Sequence, residues 1–272
     1  MRLRDLVVLP ILIAMTAGVG CSRLTFVKQE FKNDYHRTAP DYAVKDDPDD
    51  ARRIAAIDEV ALAQQGIQAG RLDEAATHAN AALKADPKSA DPYTLLGMIE
   101  DQRGNAARAG GFYAKAAALA PTQGGELNNY GAWLCSNGRP AESLALFDRA
   151  LADPAYSTPA AALANAGACA LEAGQGARAA RDLGQALALD PTNAVALAAM
   201  AQSQYTAGHY LEARAFSERR LAVAPASVKV LQLASQIEQK LGDTAASARY
   251  VQRIGTEFPQ QRTSPTGDAS QR

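Results

Sequence analysis

Apolar and small residues recur along this chain at helical spacing, and no stretch sustains a strict alternation of apolar and polar positions, so the pattern predicts helices and essentially no sheet. The pattern also repeats. Pro87, Pro121, Pro191, Pro225 and Pro259 each close an apolar segment, at intervals of 34, 70, 34 and 34 residues. Gly70, Gly104, Gly138, Gly174, Gly208 and Gly242 run in the same register. Both ladders carry the same two-residue excess, which places one insertion near Tyr156 and Ser157, beside Pro154, in a surface loop.

A period of 34 residues with this spacing resembles the tetratricopeptide repeat, a helix-turn-helix unit. The second copy carries the resemblance best: Tyr93, Leu96 and Gly97 on a first helix, Gly104 at the turn, Ala109 and Tyr113 on a second, Pro121 at the exit. Small residues such as Gly97, Ala109 and Ala116 allow helices to approach, and Leu96 and Tyr113 fill the space between them. One such unit cannot bury its own apolar face, so copies must stack. The expected fold is all-α, a right-handed solenoid of about six repeats over residues 53–259.

Helix starts are punctuated by Ser89, by Thr158 before Pro159, by Asn193 and by Ser227, all residues suited to helix N-termini. Arg220 stands where the fifth repeat wants a small residue, which predicts looser packing there. In the sixth, Gln236, Glu238, Gln239 and Lys240 give one polar side, as a terminal repeat requires. Residues 260–272 lack a core-forming pattern and are expected to be disordered.

Composition narrows the function. Hydrophobic residues make up 47% of the chain and aromatic ones only 6%, as suits packed helices. With 28 basic and 29 acidic side chains there is no electrostatic ground for a nucleic-acid ligand. At the N-terminus, Arg2 and Arg4 precede an apolar run too short to span a membrane, and small residues lead to Cys21. Residues 1–20 resemble a bacterial lipoprotein signal, although Gly18 stands where such signals usually carry Leu. The other reading is an ordinary secretory signal with a chance cysteine. Lipidated Cys21 followed by Ser22 implies anchoring to the inner leaflet of the outer membrane, facing the periplasm. Residues 21–52 are polar, with an acidic run at Asp46, Asp47, Asp49 and Asp50, and read as a tether reaching on the order of 30 Å.

No catalytic constellation emerges. His36, His78 and His209 have no partners at metal-ligand or catalytic spacing and read as surface residues. Gly174, Gly176 and Ala179 match a dinucleotide fingerprint in letters, but the stretch links two predicted helices with no strand before it. No cofactor, metal or small-molecule substrate is expected. Cys135 and Cys169 fall on the first helices of neighbouring repeats, either as a disulfide, which an oxidising compartment permits, or as two buried thiols. Adjacent helix axes lie about 8–10 Å apart, and a disulfide needs Cα atoms within about 7 Å. Gly131, Ala132 and Gly167 are placed to supply the closer approach.

What remains is binding. The likeness to tetratricopeptide arrays puts first helices on the concave surface. The groove then begins with Ile57, Val60, Gln64 and Ile67, continues through Thr94 and Met98, and reaches Asn128, Asn129, Ala132 and Asn165. Asn129 and Asn165 occupy one register; in related arrays an Asn there bonds a bound peptide backbone, and the alternative is a structural cap or a bond between helices. An apolar start followed by small residues suits a peptide segment.

The stretch from Asn128 to Cys135 (NNYGAWLC), with GRPAESLALFDRALADPAY and LANAGACAL after it, is similar to the PilF/PilW family of type IV pilus biogenesis proteins. Members are pilotins, lipid-anchored proteins that bind subunits of the pilus secretin and promote their localisation and assembly. The resemblance implies lipidation at Cys21, pairing of Cys135 with Cys169, and a secretin subunit as partner. The expected alternative is a periplasmic lipoprotein that serves as a peptide-binding scaffold for another envelope machine.

Overall fold

The six ladder glycines set the architecture. In the computed structural model, which describes residues 47–259, each has φ between 71° and 82°, a left-handed conformation that costs glycine nothing sterically. Each ends one helix and admits the next. The pairs are α1 (Pro48–Gln68) with α2 (Leu72–Ala85), α3 (Asp91–Gln102) with α4 (Ala106–Leu119), and α5 (Gly124–Ser136) with α6 (Pro140–Leu151). They continue with α7 (Pro159–Glu172) and α8 (Gly176–Leu189), α9 (Ala194–Thr206) and α10 (Tyr210–Val223), α11 (Val228–Leu241) and α12 (Thr244–Glu257). At every one of these turns the residue after the glycine donates its N–H to a carbonyl in the last turn of the first helix, from Arg71 to Gly66 through Asp243 to Glu238. This is the bond that satisfies a helix C-terminus when a left-handed residue follows it.

Within a repeat, a small residue on the first helix receives a large one from the second. A Cβ on Gly97 would stand 2.8 Å from the Tyr113 ring, and one on Gly131 would stand 2.9 Å from the Phe147 ring. Phe147 is fully buried by this seat, a contribution of roughly 1.5–3 kcal/mol for a side chain of its kind. Gly131 and Gly167 seat Phe147 and Leu183 of their own repeats. Trp133 of the third repeat reaches back over Gly110 of the second, where a Cβ would meet its ring at 2.3 Å.

Between repeats, each second helix packs on the following first helix, and each first helix also packs on the next first helix. Second helices meet through side chains, as where Arg178 of α8 donates to Asp148 Oδ1 of α6 at 2.6 Å. The first helices thus form the inner layer of an all-α solenoid and the second helices the outer one. Arg149 of α6 donates to the Pro121 carbonyl at 2.6 Å, and Arg219 of α10 to the Pro191 carbonyl at 3.0 Å. The same register of two repeats thereby clasps the exit of the repeat before.

Several local expectations shift. The first helix begins at Pro48, ahead of the start near Arg53: Asp47 caps it by accepting the Asp49 N–H at 2.9 Å, so the end of the acidic run is a helix start and not tether. Asn193 and Ser227 cap their helices through their side chains, whereas Thr158 makes no side-chain cap bond and Ser89 lies outside the cap of α3, which falls on Ala90. The inserted surface loop is docked. Tyr156 covers Gly124, and Asp153 accepts the Gly124 N–H at 2.8 Å. Arg220 turns back to donate to the carbonyls of Ala224 and Pro225. Glu238 is buried instead of contributing to a polar outer side, because Arg214 grips it through two donors, Nε at 2.9 Å and a second through Nη2. His78 is half-buried and joined to Glu59 at 2.6 Å across the first helix pair, while His209 is exposed.

Candidate partner-binding groove

Two cavities open along the inner layer. The first, of about 250 Å³, lies where α1, α3 and α5 come together. From α1 it takes Gln64, Ile67 and Gln68; from α3, Asp91, Thr94, Leu95 and Met98; from α5, Glu126 and Asn129. The second, of about 470 Å³, is lined mainly by apolar side chains of α7, α9 and α11, including Leu171, Val195 and Leu233, together with Glu172, Gln202, Arg220 and Lys229.

The first cavity holds an unusual carboxyl. Glu126 sits in the first turn of α5 and is 9% exposed. Burial pushes its carboxyl above the usual carboxylate range, its own backbone N–H opposes that shift, and the Asp91 carboxyl beside it adds to it. The Thr94 hydroxyl is buried in the same wall with no hydrogen-bond partner. Leu95 and Met98 pack with Ile67 in the core cluster beneath.

Of the residues expected in the groove, Gln64, Ile67, Thr94, Met98 and Asn129 share this cavity. Ile57 and Val60 do not: Ile57 is 66% exposed, and Val60 packs against the first core cluster. Asn165 donates from its side-chain amide to the Asn128 side-chain carbonyl at 3.0 Å, so at that position the bond between helices is realised. Ala132 packs beside Cys135 and Cys169. Their Sγ atoms are 2.10 Å apart and their Cα atoms 5.8 Å apart, the arrangement of a disulfide inside a core formed with Phe147, Ala166 and Ala170. Cys21 and His36 lie outside the described residues. Glu126 and Gln68 were not singled out by the sequence; Glu126 reads there as an ordinary first-turn carboxylate, favourable at any helix start.

This architecture defines a tetratricopeptide-repeat protein, a class whose concave surfaces bind proteins and peptides, and a family model described as tetratricopeptide repeat matches residues 170–237. The chain is similar, more particularly, to PilW, a widely conserved type IV pilus biogenesis factor, with 29% identity and a TM-score of 0.66 over 78% of this chain and 99% of that one. PilF of Pseudomonas aeruginosa shares the fold at 23% identity, TM-score 0.65, over 77% of this chain and 94% of that one. A thermophilic tetratricopeptide-repeat protein of Thermus thermophilus matches at 22% identity and TM-score 0.55 over 68% of this chain and 98% of that one. The likeness to PilW supports the resemblance to type IV pilus repeat proteins, and the other two show the fold. No curated protein matches by sequence. No helix among the described residues is long and apolar enough to cross a membrane.

Proposed function

We propose that this chain is a pilotin: a lipid-anchored repeat protein at the periplasmic face of the outer membrane that binds subunits of a type IV pilus secretin and promotes their assembly. The observation that carries this reading is the likeness to PilW along nearly the whole of that chain. The inner layer of first helices offers an extended surface for a protein segment, with the cavity between α1, α3 and α5 at one part of it. Lipidated Cys21 confines the protein to the membrane where the ring forms. Two molecules held at one surface meet at a raised effective concentration without any new contact. A bound segment is also shielded from premature aggregation. The chain acts as a scaffold in this reading, without catalysis.

The test is co-purification. Full-length protein, extracted in detergent from envelopes of cells that make type IV pili, brings down the secretin subunit if the proposal holds. Recovery of a different envelope assembly protein, with no secretin, favours the general peptide-binding scaffold instead.

A further inference from the structure

We propose that the cavity between α1, α3 and α5 is a subsite for a basic side chain, a lysine or arginine of the bound segment, received by Asp91 and Glu126. The inference rests on the reading that the inner layer binds a protein segment.

Three independent features converge there. First, two carboxyls from different helices line the space, Asp91 exposed and Glu126 buried, and no basic residue is among those lining it. Second, Thr94 is 7% exposed and its hydroxyl has no partner, although it lines the same cavity. A buried hydroxyl left unpaired is destabilising, and an ammonium or guanidinium donor offers it an acceptor role. Third, the walls are of two kinds. Ile67, Leu95 and Met98 are apolar, as the methylene stem of a basic side chain requires, and the two carboxyls line the same space.

Burial raises the affinity of the Glu126 carboxyl for its proton, and a cation entering beside it opposes that shift and favours the ionised form. Asn129 and Gln64 add side-chain amides at the same cavity, suited to the backbone of an extended segment.

The probes are two short peptides, acetyl-Ala-Leu-Lys-Leu-Ala-amide and the same peptide with Gln in place of Lys, titrated into the full mature protein and followed by NMR. The lysine peptide should shift the amide resonances of Thr94 and Asn129 and bind about tenfold or more tightly than the glutamine peptide, as a charge-assisted contact implies. Glu126→Gln and Asp91→Asn should each remove most of that preference. Asp91 is exposed, so Asp91→Asn keeps the test available should Glu126→Gln fold poorly. Equal affinity for the two peptides overturns the proposal, as does a preference that survives Asp91→Asn. No secretin enters this titration, so its failure leaves the pilotin reading intact, whereas failed co-purification beside a successful titration removes the pilotin reading alone.

Discussion

A Cβ placed on Gly167 would stand 2.6 Å from Cγ of Leu183 and 3.0 Å from its backbone nitrogen, so α7 and α8 touch at a point with room for a hydrogen only. Leu183 is fully buried and cannot swing away. Gly167→Ala should therefore destabilise the protein by about 1–3 kcal/mol, the usual cost of overfilling a packed core. Gly111 and Gly184 also lie inside helices but face open space. Alanine at either should stabilise by roughly 0.5–1 kcal/mol. Urea unfolding of the three variants checks both signs.

The turn glycines obey a different constraint. Gly174 has open space around its Cβ position but a φ of 71°. Gly174→Ala should lose about 1–2 kcal/mol through backbone strain alone, and Gly174→Asn should lose less because Asn tolerates that region. Equal losses for the two variants would point to a side-chain clash instead.

The geometry of Cys135 and Cys169 predicts that unreduced, denatured protein shows neither thiol to a labelling reagent. The cross-link closes a separation of 34 residues, and its loss should cost between roughly 3 and 4.7 kcal/mol in the chain-entropy picture. Two reactive thiols at these positions, or an unfolding midpoint unmoved in the Cys135→Ala, Cys169→Ala double variant, would show that no bond contributes.

Two buried glutamates should respond to pH in opposite directions. Glu126 has a raised affinity for its proton, so the folded chain holds more protons than the unfolded one between the ordinary carboxylate range and the raised value. Stability attributable to Glu126 is then present at low pH and lost as pH rises through that window. Asp91 and Asp153 face the same group, and Tyr156 feels its charge. Glu100 is held low, first by the side-chain bond from Asn105 and then by Arg103 and Arg108, against the effect of burial. Its contribution is present above the ordinary carboxylate range and lost as pH falls through the depressed value. Thermal melts against pH should show Glu126→Gln gaining on wild type towards neutrality and Glu100→Gln losing there.

Much of the fold was legible because its strongest signals are local. A glycine at each turn and a small residue opposite a large one act within a single repeat, so spacing alone exposes them. Asn193 and Ser227 were readable as caps for the same reason. Asp47 was not, because a run of acidic residues reads as solvated unless one knows that a helix follows directly. Glu238 was misplaced because its partner Arg214 is on the preceding helix, and only packing between repeats shows that this carboxylate turns inward. The groove was half legible. Register put Thr94, Met98 and Asn129 on one surface, but Asn165 is engaged by Asn128, the residue just before the Asn129 that shares its register. Glu126 carries no pattern at all; its role depends on burial and on Asp91 approaching from another helix.

The central claim is that this chain assembles a secretin at the outer membrane. It is tested most directly by the heat- and SDS-resistant secretin multimer in outer-membrane fractions of cells lacking the protein, complemented with wild type or with Cys21→Ala. Multimers should disappear in the deletion strain, return with wild type, and return poorly or in the wrong fraction with Cys21→Ala. Normal multimers in the deletion strain would contradict the claim.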